Sequence, residues 1–279
     1  MPKLKIEVDS GADGNDGREP TREELLDAAL DTYGHFTAMQ VRGSRTRGLD
    51  LHLARLDAAN RELFGEELDG ERVRSLIRHA LAGGSPDASV RVIVRSAAAG
   101  ANVSGSSGAG PGSAVRVFVT VRAPFTMPPD ASQRLKSAHY LRTAPHIKRP
   151  GDFGQTYHIA QAQKAGYDDA LLVADDGTIA EPAIANIAFF DGTNVIWPDA
   201  PVLPGITMQV IAPRLAEHGM PSRTARVTLA DVGDFAGACV TNSRGIAAVT
   251  GIDEVEIPVA ADFVKTLNAA YDAVPWDEI

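Results

Sequence analysis

Lys148, Glu181 and the turn Pro204-Gly205-Ile206-Thr207 follow one another in the second half of the chain, and each is suited to one part of a single bound group. A lysine amine condenses with an aldehyde. A carboxylate holds a ring nitrogen in its protonated form, and a turn that opens a helix offers unpaired amides to a phosphate. A cofactor with an aldehyde, a pyridine nitrogen and a phosphate needs all three.

The elements that must position these residues are partly readable. After the turn, apolar residues at Val210, Ile211 and Leu215 have helical spacing, Gly219 ends the pattern, and Pro213 works against a straight helix. The first amides of such a helix lack partners and carry the positive end of its dipole. Taken alone, the turn reads first as an ordinary strand-to-helix connection capped by Thr207. Residues 168–181 read as a buried strand, an Asp176-Gly177 hairpin turn and a return strand ending on Glu181, and residues 185–198 repeat the design around Asp191-Gly192. The expectation is a meander with Glu181 at a strand end. In isolation Glu181 is a solvated loop carboxylate, and Lys148, between Ile147 and Arg149, is a surface lysine.

With 279 residues, 44% of them apolar, the chain can bury the core of one large domain or two smaller ones. Its 27 basic and 36 acidic residues give a net charge of −9, which argues against a nucleic-acid surface. One cysteine, Cys239, excludes an internal disulfide. No stretch resembles a signal peptide or a membrane span, so the expected location is cytoplasmic. The Asn102-Val103-Ser104 sequon is then a chance match, and the seven histidines show no metal-ligand spacing.

Along the chain, a polar amino terminus rich in Gly and Asp precedes a helix opened by the capping box Thr21-Arg22-Glu23-Glu24 and running to Tyr33. A helix opened by Asp50 and closed near Gly65 carries Arg55, another covers residues 71–82, and strands are expected over 89–95 and 114–122. The Gly-, Ala- and Ser-rich residues 97–112 read as a flexible loop, and the Pro-rich stretch from Ala123 as a linker. The expected division is a domain over 1–122, a linker over 123–132 and a domain over 133–279 that carries Lys148.

Five motifs together resemble the class IV aminotransferases, the fold type IV pyridoxal-phosphate enzymes: His52-Leu53-Ala54-Arg55-Leu56, Ile147-Lys148, the run from Asp168 through Glu181 to Asn186, Leu203-Pro204-Gly205-Ile206-Thr207, and Thr241-Asn242-Ser243 ahead of Ala247-Ala248-Val249. The resemblance covers about residues 34–256. It implies an α+β fold, a smaller amino-terminal α/β domain beside a larger carboxy-terminal α/β domain with a pseudo-barrel. It also implies pyridoxal 5'-phosphate as cofactor and a homodimer in which a first-domain loop, here 97–112, reaches the partner's site as a mobile lid.

Residue by residue, Lys148 matches the lysine that bonds to the cofactor aldehyde and then moves the proton at the substrate alpha carbon. Glu181 matches the carboxylate on the ring nitrogen, and Arg55 the phosphate's arginine. Gly205, Ile206 and Thr207 match the turn whose amides bind the phosphate, Thr241 and Asn242 its further ligands, and Asn186 a structural asparagine.

The departures bear on substrate. Branched-chain enzymes have a Phe-Glu-Gly-x-Arg stretch where this chain has Phe36-Thr37-Ala38-Met39-Gln40. D-amino-acid enzymes have a tyrosine at the position of Phe36 and an Arg-x-His carboxylate trap in the loop that here holds neither. Phe36-Thr37 and residues 239–242 resemble aminodeoxychorismate lyases, and Phe153 stands where several relatives have a tyrosine. The candidates to touch substrate are Phe36, the pair Arg91 and Arg95 on one face of a strand, and Arg142, six residues before Lys148, with edge-strand or salt-bridge roles as the arginines' competing reading. The expectation is a transaminase moving an amino group from a D-amino acid or an (R)-amine to a 2-oxo acid. A lyase of the aminodeoxychorismate type, a branched-chain L-amino acid aminotransferase and a cofactor-binding protein without turnover are the alternatives.

Overall fold

The computed structural model describes residues 5–9, 17–30, 32–97, 115–128 and 130–279. Its contacts divide the chain into two units, one comprising Met1–Phe125, Ile147–Gly151 and Trp276–Ile279, the other Thr126–His146 and Asp152–Pro275. The architecture is the two-part α+β fold that the motifs imply.

The first unit contains β1 (Lys5–Asp9), β2 (Gly17–Arg18), α1 (Arg22–Leu30), β3 (Gly34–Val41), β4 (Arg45–Thr46), α2 (Leu49–Phe64), α3 (Gly70–Leu81), β5 (Ala88–Ser96) and β6 (Val115–Arg122). Its antiparallel sheet runs β2-β1-β6-β5-β3. Strand residues alternate between faces. Val90, Val92 and Val94 of β5 and Val117 and Val119 of β6 therefore point one way, and they form a core with Leu56 and Phe64 of α2 and Val73, Leu76 and Ile77 of α3. The intervening residues, with Arg91 exposed and Arg95 half-buried, turn to the other face, as period two predicts.

Helix ends follow local chemistry. Asp69 caps α3 by accepting from the Glu71 N–H at 2.9 Å, and Gly65 ends α2 in the left-handed region (φ 75°), where a side chain would be strained. The capping box at α1 is real: Thr21 N–H donates to Glu24 and Glu24 N–H to Thr21 Oγ1. The helix stops at Leu30, short of the expected Tyr33. Asp50 is inside the first turn of α2, whose cap is Gly48. The amino terminus also departs from expectation, since Lys5–Asp9 is a strand paired with β6.

The second unit contains β7 (Ser132–His139), α4 (Phe153–Lys164), β8 (Asp169–Val173), β9 (Ile179–Pro182), β10 (Asn186–Phe190), β11 (Val195–Pro198), α5 (Ile206–Ile211), β12 (Ser222–Ala225), β13 (Gly237–Asn242), β14 (Gly245–Ile252), β15 (Val255–Glu256) and α6 (Ala261–Asp272). Its sheet runs β12-β11-β10-β13-β14-β7-β8-β9, with β15 on β14. All five residues of β8 are buried because both its faces are covered: Leu171 and Val173 join the main core, while Ala170 and Leu172 meet Ala162 of α4. Both Asp-Gly hairpins form, but they do not make the expected meander. β8-β9 ends the sheet at one side and β10-β11 lies toward the other, with β10 paired to β13 rather than β9. The sheet curls so that β9 packs against β10 and β11. After Ile211 the α-helix tightens into a 3-10 helix over Ala212–His218 with Pro213 at its start, and Gly219 closes it. Among the described residues no helix is long and apolar enough to cross a membrane.

Candidate active site

In the first unit, β3 and α2 hold the site residues. Phe36 N–H donates to the Lys148 carbonyl at 2.8 Å, and Lys148 Nζ lies 4.9 Å from the centroid of the Phe36 ring. The same ring contacts the Arg91 guanidinium at 4.8 Å. The segment Ile147–Gly151 thus belongs by its contacts to the first unit, although the expected division puts Lys148 in the second domain.

One residue on from Phe36, the side chain of Thr37 faces α2. Arg55 Nη2 donates to Thr37 Oγ1. Arginine has no acceptor, so Thr37 accepts there, and the same hydroxyl is hydrogen-bonded to His52 Nδ1 at 2.6 Å. Burial first, then the Arg55 and Lys148 charges, pushes His52 down to about 3. His35, against Asn60 at 3.4 Å, is held down to about 4, again chiefly by burial. Arg55 itself is lowered to about 10 by burial, and its Nε is buried without a partner. The charge on Arg55 is largely desolvated and, among the described residues, faces no carboxylate. An anion would complete it.

In the second unit, Glu181 on β9 is 4% exposed. Its Oε1 accepts from Arg142 Nη1 at 2.9 Å and its Oε2 from the Leu203 N–H at 3.1 Å, so it is a fixed, buried carboxylate and not a solvated loop residue. Asn186 Nδ2 donates to the Leu203 carbonyl at 2.8 Å, and a Cβ at position 205 would collide with Asn186 Oδ1, which is why Gly205 stands there. Thr207 does not cap α5. The N-cap is Gly205, and Thr207 Oγ1 donates to the Asn242 carbonyl at 2.8 Å. Asn242 Nδ2 reaches back to the Ile184 carbonyl at 3.4 Å. Thr241 pairs with Asn186 across β10 and β13, and its hydroxyl is buried without a partner.

The structure thus gathers Phe36, Arg55, Arg91 and Lys148 in one unit and Glu181, Asn186, Gly205, Ile206, Thr207, Thr241 and Asn242 in the other. Arg142 is corrected. It is 8% exposed, bound to Glu181 and 3.8 Å from Asp152, so it is not an open substrate cation. Phe153 opens α4, is 80% exposed and offers no hydroxyl. Most of the 97–112 loop, residues 98–112, and Asn102 with it, lie outside the described residues. Thr37, His52 and Asp152 have roles that sequence reasoning missed. His52 stands three residues before Arg55 on one helix face, a spacing that could have exposed it. Thr37 carries no such signal.

Comparison with known proteins defines the class. Residues 34–252 match the amino-transferase class IV family, and the chain belongs to that family, whose enzymes depend on pyridoxal phosphate. Over 98 residues it is 34% identical to a Rickettsia felis protein named "Probable branched-chain-amino-acid aminotransferase", covering 35% of this chain and 33% of that one. The chain thus matches about a third of the length of its curated relative. Its fold is shared with a fold IV transaminase from Curtobacterium pusillum, at 19% identity and TM-score 0.77 over 96% of this chain and 97% of that one. A putative 4-amino-4-deoxychorismate lyase from Legionella pneumophila has the same fold, at 19% identity and TM-score 0.76 over 91% and 95%.

The residues fit the family's cofactor. The partnerless Arg55 Nε and Thr241 Oγ1 are donors of the kind a phosphate needs, and the buried Glu181 is an acceptor of the kind a ring N–H needs. Among the described residues no cluster of His, Cys, Asp and Glu could hold a metal.

Proposed function

We propose that the protein is a transaminase that moves an amino group from a D-amino acid or an (R)-amine to a 2-oxo acid. The observation that carries the transaminase reading is Glu181, a buried carboxylate held by donors within the second unit; the first unit separately holds, in Arg55, a desolvated arginine whose Nε lacks a partner. Pyridoxal phosphate, when bound, supplies the electron sink that lets the substrate alpha proton leave. Lys148 would take that proton from the alpha carbon and deliver it to the cofactor carbon that carried the aldehyde. Glu181 would accept from the ring N–H and keep that nitrogen charged. Arg55, Thr241 Oγ1 and the Ile206 and Thr207 amides would hold the phosphate, and His52 with Thr37 orients Arg55.

The choice of donor rests on residues 36–40, where the branched-chain Glu and Arg are replaced, and on Arg91 beside Phe36 as the candidate contact for a carboxylate. A site with a weak carboxylate clamp discriminates little against amines, since one charged contact is worth about 1.5–3 kcal/mol. The match to the Rickettsia felis protein favours a second reading, a branched-chain L-amino acid aminotransferase. The reading extends to a cytoplasmic homodimer, which sedimentation of the purified protein checks for assembly.

Paired D- and L-amino acids and (R)- and (S)-amines, assayed with pyruvate and with 2-oxoglutarate, decide among these. Turnover of D-amino acids and (R)-amines supports the proposal. Clean preference for L-leucine, L-isoleucine or L-valine with 2-oxoglutarate replaces it with the branched-chain reading, and product formation with no oxo acid present replaces it with a lyase.

A further inference from the structure

The side chain of Arg142 is almost completely enclosed. Its side chain is 3% exposed, against 5% for Glu181 and 4% for Asp152. Nη1 donates to Glu181 Oε1 at 2.9 Å and to the Pro145 carbonyl at 3.0 Å, while Nε lies 3.8 Å from Asp152 Oδ2. Different edges of one guanidinium therefore face two carboxylates, a geometry that the rigid fork of arginine fits and a lysine ammonium does not. Asp152 is itself anchored. It caps α4 by accepting from the Gln155 N–H at 3.5 Å, and Tyr140 Oη lies 3.5 Å from its Oδ1. Gly154 follows because a Cβ there would collide with the Tyr140 ring. Tyr140, Asp152, Arg142 and Glu181 form a continuous line running from the start of α4 to β9, with the last three side chains buried.

This line has a chemical consequence for the contact at Glu181. A carboxylate and a ring nitrogen share one proton, and it can rest on either. A proton on Glu181 would set a neutral acid against a guanidinium that keeps its charge and needs an anionic acceptor. Oε1 of Glu181 receives a donor from Arg142 and Oε2 one from the Leu203 backbone.

We infer that Arg142 is a positioning residue that fixes Glu181 as an oriented carboxylate, so that the shared proton rests on the cofactor's ring nitrogen. The inference depends on the proposed reading that Glu181 faces that nitrogen. It assigns Arg142 to proton placement through Glu181, with no contact to substrate.

The test is the nitrogen NMR signal of holoenzyme loaded with pyridoxal phosphate carrying 15N in its ring, recorded at one pH near neutrality for wild type, Glu181→Gln, Arg142→Gln and Arg142→Lys. Wild type is expected at the shift of a protonated ring nitrogen, and Glu181→Gln at that of an unprotonated one. Arg142→Gln should move toward the unprotonated shift, and Arg142→Lys, which restores charge without the fork, should lie between it and wild type. A wild-type signal in Arg142→Gln beside an altered one in Glu181→Gln overturns the role of Arg142 and leaves that of Glu181 standing. An unaltered signal in Glu181→Gln defeats the underlying reading instead. Should Arg142→Gln fail to fold, Arg142→Lys carries the decision, and a wild-type signal there overturns the inference.

Discussion

Arg55 in the first unit and Arg142 in the second are both arginines withdrawn from water, and they are treated in opposite ways. Arg142 lies among two carboxylates and a carbonyl. Among the described residues Arg55 has a threonine hydroxyl, no carboxylate and a partnerless Nε. An ion pair complete within the protein is part of the fold, whereas a charge left open is a place for an outside ion. The same contrast separates Glu181, which is already held by two donors, from the partnerless hydroxyl of Thr241.

The largest effect that can break this comparison is on the stability of the cofactor-free protein. Arg142→Met leaves Glu181 and Asp152 buried without their shared cation and should destabilise the second unit by about 3–5 kcal/mol, while Arg55→Met removes a desolvated charge with no partner and should leave stability unchanged or raised. Denaturant unfolding of the two variants reads this directly. Equal losses would mean that Arg55 has a counter-charge in solution.

Next in size is Glu181→Gln, which should bind the cofactor yet turn over about 100-fold more slowly, near 2.7 kcal/mol of barrier, because the ring nitrogen loses its anionic acceptor. Steady-state rates with the best donor check it. Near wild-type turnover would put the acceptor elsewhere.

Arg55→Ala is expected to weaken cofactor binding by about 1.5–3 kcal/mol while the contacts of Ile206, Thr207 and Thr241 survive. Fluorescence titration of the cofactor-free variant measures it, and an unchanged affinity would make Arg55 a residue of the fold with no part in holding the phosphate.

The smallest effect, counted per proton and per pH unit, is a pH response of opposite sign in the two units. His35 and His52, held down to about 4 and about 3 by burial, bind protons more readily when unfolded, so their contribution is complete above pH 6.5 and lost as pH falls toward those values. Asp169 is pushed up to about 6 by burial, so the contribution it makes as a neutral acid is present below 3.8 and lost as pH rises through 6. Between about pH 4.5 and 6 the first unit should gain stability with rising pH and the second should lose it, each by up to about 1.4 kcal/mol per pH unit per proton. Hydrogen exchange in α2 and β8 separates them, and parallel slopes would count against the burial of these groups.

Much of the site was legible because its motifs are local. The hairpin ending at Glu181, the helix carrying Arg55 and the break at Pro213 each depend on neighbours within a few residues. β3 was hidden for a physical reason: its buried face carries His35 and Thr37 beside Met39 and Val41, and so does not read as an apolar alternation. The strand at Lys5–Asp9 was missed likewise, since Glu7 and Asp9 are buried against Lys5, His79 and Arg72. The separation of the two hairpins and the engagement of Arg142 by Glu181, 39 residues away, are long-range pairings that no local pattern carries.

The most direct test of the central claim, that this chain holds pyridoxal phosphate through Lys148 opposite an arginine left open for its phosphate, is borohydride reduction of the cofactor-loaded protein followed by peptide mass mapping. The account predicts a single stable cofactor adduct on Lys148, absent from Lys148→Ala. An adduct on another lysine such as Lys136 or Lys164, or none at all, would contradict it.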